Sequence, residues 1–394
     1  MSATRTGGAR ALRVIHVIEA MHQGGAESLV IEHVRHAGAG VQVQVCAINR
    51  GGPALDQVRS LGARATVLRR PGARGPLARA QAIGALARLA RETGATVLHG
   101  HNPTGALHAW LAARIAGVPA RLRTEHSLHY AGRHSWLYPA FERLATPSTQ
   151  FVVCVCDAVR ESHARRLGGR AERFVTVLNG IGPAVPGVER EVMRARLGCA
   201  PEHRVVLSVG SLTAQKDQAT LLAAFARVAA MDPAARLLIA GEGPLRAALE
   251  ARAAAPDLAG RVRLLGERSD VTDLLEAADL FALSSVREGL PVTLIEAMRA
   301  GRAAVATGAG GCAEAIRADE TGLIAPIGDT SALAAAISAL LGDPVRRAVM
   351  AAAARARWAG HFTAARMVAE TEALYARALG EPEGAAVGGR HAPA

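Results

Sequence analysis

Short apolar runs alternate with longer stretches of helical apolar spacing along both halves of the sequence. In the first half the apolar runs predict seven strands, at residues 13–18, 41–48, 65–68, 97–99, 120–124, 151–156 and 174–177. The stretches between them predict helices, for example at residues 26–37, 77–91 and 105–115. Strands that alternate with helices at this spacing are typical of a parallel sheet covered on both faces.

The same pattern restarts in the second half of the sequence. Its apolar runs predict six more strands, at residues 205–209, 236–240, 262–265, 280–283, 303–306 and 322–324. Helices are predicted between them, for example at residues 219–230, 243–254 and 291–300. The predicted fold class is therefore α/β, with two tandem doubly wound, Rossmann-like domains facing a cleft. Such folds bind ligands outside the carboxyl ends of their strands.

A segment rich in glycine and proline, residues 179–190, predicts a linker between the two patterns. At 394 residues the chain is long enough for two domains, each with its own core. The predicted segments are a disordered tail (1–11), a first domain (12–182), a linker (183–203), a second domain (204–357), a final helix packing back toward the first domain (358–380) and a disordered tail (381–394).

The basic charge of the protein is confined to its first half. Residues 1–185 carry a net charge of +13, and residues 186–394 carry −1. One interpretation is that residues 12–182 contact an anionic membrane surface or a phosphorylated acceptor; a solvated basic face is the alternative. Flotation with anionic liposomes at low and high salt would separate the two. Scattered arginines and few aromatic residues disfavour nucleic acid as a partner.

The sequence contains no stretch of about 20 apolar residues, so no membrane span is predicted. The first apolar run is too short for a signal peptide. The five cysteines are an odd number without repeated metal-site spacing. We therefore expect a cytoplasmic protein. The basic first half suggests that it could also contact the cytoplasmic face of the membrane peripherally.

Lys216 is the only lysine in the sequence, since every other member of the 46 Lys and Arg residues is arginine. Lysine offers a compact ammonium charge on a flexible stem, whereas arginine offers a planar fork. Lys216 follows a predicted strand and the turn at Gly210, where an α/β domain would place a phosphate ligand. The alternative interpretation is that Lys216 lies on a solvated loop and is a lysine only by chance.

Several glycine-rich turns lead from a predicted strand into a helix. Gly24 and Gly25 form one such turn, and residues 241–244 and 308–311 form two more. Glu288 and Glu296 flank another turn, in which free backbone amides near residues 289–292 would face an anion. Carboxylates beside an anion site typically bind hydroxyl groups; an acidic helix start with a solvated glutamate is the alternative.

Together these motifs resemble the retaining glycosyltransferases of family 4, also called group 1, which have the GT-B fold. The resemblance covers nearly the whole chain and is strongest over residues 205–330. The matching segments are VGSLTAQK (209–216), AGEGP (240–244), REGLPVTLIEAM (287–298), GGCAE (310–314) and, less specifically, GGAE (24–27), HGH (99–101) and TEH (124–126).

The resemblance implies a role for each matched residue. Glu288 would bind hydroxyls of the donor sugar, Glu296 the nucleotide ribose, and Lys216 the donor diphosphate. His126 would lie beside the transferred sugar, so that His126, Lys216 and Glu288 form the catalytic set. The implied donor-binding residues are Gly24, Gly25, Ser211, Lys216, Gly241, Gly243, Arg268, Glu288, Gly289, Leu290, Thr293 and Glu296.

The sequence departs from the family at Ser211, where the family usually carries arginine. The diphosphate would then rely on Lys216, backbone amides and either Arg287 or Arg268. For His99 and His101 the alternative to a functional role is a pair of satisfied strand-end histidines.

The implied reaction moves a sugar from a UDP- or GDP-linked donor to a hydroxyl of a glycan, lipid-linked or small-molecule acceptor, with retention of configuration. The donor would bind in residues 204–357 and the acceptor in residues 12–182. No Asp-x-Asp motif ends a predicted strand, so we expect no metal and no further cofactor. The alternatives are another GT-B enzyme, such as a sugar-nucleotide epimerase or phosphorylase, and a non-catalytic nucleotide-sugar-binding protein.

Overall fold

A computed structural model of the protein describes residues 12–22, 24–70, 72–73, 75–128 and 137–381. The two predicted tails lie outside these residues, apart from Glu381. The described chain divides into two compact units. The N-terminal unit comprises residues up to Gly180 together with those from Ala364 onward, and the C-terminal unit comprises Ile181–Thr363.

The N-terminal unit is built on one parallel sheet of seven strands. The strands are β1 (Leu12–Ala20), β2 (Val41–Arg50), β3 (Arg64–Val67), β4 (Val97–His101), β5 (Ala120–Glu125), β6 (Phe151–Cys154) and β7 (Phe174–Thr176). Their spatial order is β3-β2-β1-β4-β5-β6-β7. The helices of this unit are α1 (Gly25–Arg35), α2 (Pro53–Ser60), α3 (Gly75–Glu92), α4 (Asn102–Ala116), α5 (Leu137–Ala145), α6 (Asp157–Leu167) and the final helix of the chain, Ala364–Ala378.

The C-terminal unit repeats this plan with six parallel strands. They are β8 (Arg204–Val209), β9 (Ala235–Ala240), β10 (Val262–Gly266), β11 (Leu280–Leu283), β12 (Ala304–Thr307) and β13 (Gly322–Ala325), in the order β10-β9-β8-β11-β12-β13. The helices are α7 (Arg190–Arg196), α8 (Gln218–Met231), α9 (Arg246–Ala253), α10 (Val271–Ala277), α11 (Val292–Arg299), α12 (Cys312–Ala315), α13 (Thr330–Gly342) and α14 (Pro344–His361); the final helix is α15. The predicted α/β fold class, with two doubly wound units, is confirmed.

Burial on both faces explains why the strands could be read from apolar runs. Within β8 the side chains from Val205 to Val209 are all buried, and all four residues of β11 are buried as well. Helices cover the sheet from both sides, so a strand of this kind shows a continuous apolar run instead of an alternating one. The five cysteines are all buried as well.

Several element boundaries differ from the expected ones. Strand β4 continues to His101 and α4 begins at Asn102, because Pro103 in the first turn already favours helical geometry. Helix α9 begins at Arg246 and not at residue 243. Helix α7 lies inside the segment expected to be a linker, where Arg190 binds Asp279 at 2.6 Å.

Each sheet changes direction at one point, and this positions the candidate chemistry. In the N-terminal unit the strand order reverses between β1 and β4, and in the C-terminal unit it reverses between β8 and β11. The loops after such neighbouring strands lead to opposite faces of the sheet and leave a crevice between them. Among the described helices, none combines the length and the apolar character that crossing a bilayer requires.

Candidate functional site

Lys216 and Glu288 meet at the crevice between β8 and β11. The Nζ atom of Lys216 lies 2.5 Å from Oε1 of Glu288, and the hydroxyl of Ser285 donates to the same oxygen at 2.5 Å. The side chains of the pair are only 17% and 6% exposed. Topology brings the two residues together, since they are 72 positions apart in the sequence.

Backbone contacts fix the loop that carries Lys216. Asp217 adopts the left-handed conformation (φ 46°) and caps α8 by accepting a hydrogen bond from the amide of Thr220. The hydroxyl of Ser284 donates to the carbonyls of Lys216 and Asp217, at 3.0 and 2.8 Å. The amide of Val286 donates to the carbonyl of Gln215 at 2.9 Å. The loops after β8 and β11 are therefore joined by hydrogen bonds on both sides of Lys216.

One oxygen of Glu288 is left for a ligand. Both of its hydrogen bonds fall on Oε1, and no described side chain or backbone amide bonds to Oε2. A carboxylate oxygen can accept two hydrogen bonds. Glu288 can therefore bind hydroxyl groups through Oε2 while Oε1 stays paired with the ammonium group.

Gly241 and Gly243 allow close packing of the loops after β8 and β9. Gly241 has a φ of 147°, and a Cβ atom there would overlap the carbonyl oxygen of Gly210. A Cβ atom at Gly243 would overlap the carbonyl oxygen of Leu212. This close packing explains why glycine stands at both positions, where it supports the loop that leads to Lys216. Contact of Gly241 and Gly243 with a donor stays a prediction.

The start of α11 presents a further candidate contact. Pro291 precedes the first residue of this helix, and the amide of Gly311 donates to the carbonyl of Gly289 at 2.7 Å. This bond joins the predicted glycine turn at residues 308–311 to the start of the helix. The side-chain hydroxyl of Thr293 is buried and has no hydrogen-bond partner among the described residues. Since buried hydroxyls are normally paired, Thr293 is a candidate ligand-binding group.

Glu296 lies one turn further into α11. Burial raises the pKa of its carboxyl group to about 7, although the charge of Arg299 acts in the opposite direction. A carboxyl group with this pKa changes its protonation state in the physiological range. Leu290, between the two glutamates, is buried.

Arg268 and Ser211 have contacts of their own in the structure, and their role in donor binding stays a prediction. Arg268 forms a bidentate ion pair with Asp270, with N···O distances of 2.7 and 2.5 Å. Ser211 is exposed, and its carbonyl accepts a hydrogen bond from the side chain of Gln218 at 2.9 Å. Lys216 and Arg268 are thus both paired with a carboxylate, Lys216 with Glu288 and Arg268 with Asp270.

The remaining predicted residues belong to the N-terminal unit. Gly24 precedes α1 with an extended φ of 178°, which does not itself require glycine, and Gly25 is the first helical residue. His126 follows β5, and its Nε2 atom lies 3.0 Å from Nδ1 of His101. The glycine turn and His126 are thus placed after β1 and β5 of this sheet, at the carboxyl ends of the strands.

Sequence reasoning missed the two serines that organise the site. Ser284 and Ser285 directly follow the buried strand β11, and both are buried themselves. The signal was available: two consecutive hydroxyl residues after an apolar run, three positions before Glu288, mark a strand end with polar contacts.

Comparison with known proteins gives matches to both halves. Residues 23–185 match the family model "Glycosyltransferase Family 4", and residues 189–357 match "Glycosyl transferases group 1". EpsD of Bacillus subtilis is 30% identical over 295 residues, covering 71% of this chain and 76% of that protein. The alpha-maltose-1-phosphate synthase of Mycolicibacterium smegmatis is 31% identical over 313 residues, covering 71% and 79%.

The fold is also shared with solved structures. HepE of Anabaena, crystallised with UDP and glucose, superimposes with a TM-score of 0.80 at 22% sequence identity. The match covers 92% of this chain and 98% of HepE. The sucrose-phosphate synthase of Thermosynechococcus elongatus superimposes with a TM-score of 0.78 at 20% identity.

Proposed function

Since this chain belongs to the family 4 (group 1) glycosyltransferases, we propose that it moves a sugar from a UDP- or GDP-linked donor to an acceptor hydroxyl, with retention of configuration and without a metal ion. The observation that carries the proposal is the Lys216–Glu288 pair at the β8/β11 crevice. An ammonium group beside a carboxylate with one unpaired oxygen suits a ligand that joins a phosphate group to a sugar ring.

Lys216 is proposed to contact the diphosphate of the donor. As the bond to the sugar breaks, negative charge builds up on the leaving phosphate oxygen, and a cation already in place stabilises that charge. The loops after β8 and β11 hold Lys216 from both sides, so little reorganisation is needed at the moment of reaction. Free amides at the start of α11 would add to this stabilisation. Fixed groups would then supply the charge that a divalent ion supplies in other enzymes.

Glu288 is proposed to bind hydroxyls of the donor sugar through Oε2, and Glu296 to bind the ribose. The unpaired hydroxyl of Thr293 lies on the same helix as Glu296 and is proposed to contact the phosphates. His126 is proposed to contact the transferred sugar from the N-terminal unit. The acceptor is proposed to be a glycan, a lipid-linked sugar or a small molecule, and contact of the basic half with an anionic membrane remains a prediction.

For retention we infer a front-face route. The bond between the anomeric carbon and the phosphate oxygen breaks while the acceptor oxygen forms its bond on the same face of the sugar. The acceptor proton passes to the departing phosphate oxygen, so no side chain is needed as a nucleophile.

A donor panel tests the proposal. UDP- and GDP-linked sugars are incubated with glycan, lipid-linked and small-molecule acceptors in excess EDTA, and the anomeric configuration of each product is determined by NMR. We expect transfer in EDTA to give an α-linked product from an α-linked donor. An inverted product, or activity only after Mg²⁺ or Mn²⁺ is added, would contradict the retaining or the metal-independent assignment. Donor binding without nucleoside diphosphate release would identify a non-catalytic binding protein.

Glu296 should make donor binding depend on pH. Ribose hydroxyls donate to the ionised carboxylate, so affinity for the nucleoside diphosphate should fall as the pH drops below the pKa of about 7 and level off above it. Calorimetric titrations from about pH 5.5 to 8.5 would measure this.

The matched control is Glu296→Gln, because the terminal phosphate of the nucleotide also titrates near pH 6. The variant keeps the phosphate contribution and should lose the inflection near pH 7. Identical pH profiles for the two proteins would show that Glu296 does not contact the nucleotide.

A further inference from the structure

A hydrogen-bonded array of buried side chains crosses the β1/β4 crevice of the N-terminal unit. We call it the histidine array; in order of contact its members are His126, His101, His16, Tyr375, His99 and Thr124. Strand register places His16 opposite His99, and His101 opposite Thr124. Tyr375 reaches the array from α15, at the far end of the sequence.

The contacts form one unbranched line that uses both nitrogens of three imidazole rings. The donor–acceptor distances are 3.0 Å for His126 Nε2–His101 Nδ1, 2.8 Å for His101 Nε2–His16 Nδ1, 3.5 Å for His16 Nε2–Tyr375 Oη, 2.6 Å for Tyr375 Oη–His99 Nδ1 and 2.7 Å for His99 Nε2–Thr124 Oγ1. Only His126, at one end, is partly exposed.

The buried surroundings favour the neutral form of all four rings of the array. Burial lowers the pKa of His16, His99 and His101 well below the usual value, and lowers that of His126 to about 4. Burial also raises the pKa of Tyr375, so its hydroxyl keeps its proton. A neutral imidazole has one N–H donor and one acceptor nitrogen. Each ring must therefore accept on one side and donate on the other, so all the hydrogen bonds point in the same direction.

The direction is set at Tyr375. Its oxygen lies 2.6 Å from His99 and 3.5 Å from His16, and the short contact falls in the range of O–H donors. The single hydroxyl proton therefore points to His99. His16 must then present an Nε2–H toward Tyr375, because two lone pairs would otherwise face each other.

The remaining tautomers follow one after another. With its proton on Nε2, His16 has an accepting Nδ1, which requires His101 to donate from Nε2. His101 then accepts at Nδ1, which requires His126 to donate from Nε2. The Nδ1 atom of His126 is left with a lone pair, and it has no hydrogen-bond partner among the described residues.

We propose that the histidine array fixes His126 in the Nε2–H tautomer, so that its Nδ1 accepts a hydrogen bond from a substrate hydroxyl. This inference rests on the proposed function, which places a sugar beside His126. It makes His16, His101 and Tyr375 positioning residues that act through His126. It also defines the ligand chemistry: a sugar with a free hydroxyl at this place is favoured over the deoxy or O-methyl analogue, which has no proton to donate.

A metal site is the competing interpretation of the same residues. Ring nitrogens of His16, His99 and His101 all lie within 4.8 Å of one another. However, each ring nitrogen of these three histidines already has a hydrogen-bond partner in the array. A metal ion would have to break several of those bonds, so we favour the hydrogen-bonded array.

The test reads the tautomers directly in the full-length protein without substrate. With ¹⁵N-labelled histidine, long-range ¹H–¹⁵N correlation spectra distinguish a protonated ring nitrogen from an accepting one. We expect His126 to be protonated at Nε2 only. In Tyr375→Phe the link between His16 and His99 is lost, so His16, His101 and His126 should show averaged nitrogen shifts from two tautomers. Thr371→Val is the matched control, because it removes a buried hydroxyl of α15 whose one hydrogen bond among the described residues is to the carbonyl of Met367.

Each outcome tests the tautomer of His126 independently of the proposed transfer reaction. Protonation of His126 at Nδ1, or an unchanged His126 signal in a folded Tyr375→Phe variant, would overturn the inference. Binding of one equivalent of added Zn²⁺ by the three rings would overturn it in favour of a metal site. If transfer occurs, Tyr375→Phe should lower kcat/KM by roughly twofold, following the fraction of His126 in the competent tautomer, and Thr371→Val should not. Absence of any transfer would count against the proposed function while leaving the tautomer result valid.

Discussion

Replacing Lys216 by alanine should lower kcat/KM for sugar transfer by a factor of roughly 10²–10³, equivalent to about 3–4 kcal/mol of transition-state stabilisation. The effect should be large because Lys216 is the cation that the structure places beside Glu288 at the β8/β11 crevice. Ser211 stands where the family resemblance implies an arginine, so fewer fixed cations are left to compensate for the loss of Lys216. Steady-state kinetics with the preferred donor measure the loss.

The variant also removes the partner of Glu288, so two controls are needed. Lys216→Arg keeps the charge with a different shape and should recover part of the activity. A double-mutant cycle with Glu288→Gln separates the ligand contact of Lys216 from its pairing with Glu288. Near-normal turnover by a folded Lys216→Ala protein would show that Lys216 does not stabilise the departing diphosphate.

Replacing Glu288 by glutamine should lower kcat/KM by a factor of about 10–100, equivalent to about 1.5–3 kcal/mol for the loss of hydrogen bonds to a charged group. The variant keeps the shape of the side chain and an oxygen for Lys216 and Ser285. It loses the charge and makes one side of the group a donor, which faces the sugar hydroxyls that Oε2 is proposed to bind. Kinetics and thermal unfolding, measured together, separate a site effect from a loss of fold.

The matched control is Glu250→Gln, which removes a charge from an exposed pair with Arg246 on α9. Exposed pairs of this kind contribute little, so activity and stability should stay close to those of the original protein. If Glu288→Gln behaved like Glu250→Gln, the carboxylate would have no part in holding the sugar.

The sequence predicted the strands well because parallel strands buried on both faces leave continuous apolar runs. It could also nominate Lys216 and Glu288, the first by its isolation and the second by its position beside a Gly/Pro turn. Their contact depends on the strand order, in which β8 lies beside β11. The spacing of apolar residues predicts the strands but not their order in the sheet.

The histidine array shows what the sequence could not reveal. His99 and Tyr375 are 276 positions apart, and Tyr375 lies on a helix whose apolar stripe shows only that it packs against something. His99 and His101 could be nominated as a pair at a strand end. Their link to His126 through His101, and to α15 through Tyr375, depends on side-chain packing that only the folded unit defines.

The placement of Lys216 at the diphosphate can be tested with a single spectroscopic probe. Because Lys216 is the only lysine, reductive ¹³C-methylation labels just its Nζ and the chain's α-amine while keeping the charge. The Lys216→Arg protein identifies which signal is which. We predict that UDP or GDP shifts the Lys216 signal, saturating at the concentration at which calorimetry shows binding. A nucleotide that binds by calorimetry and leaves this signal unmoved would contradict the proposed site.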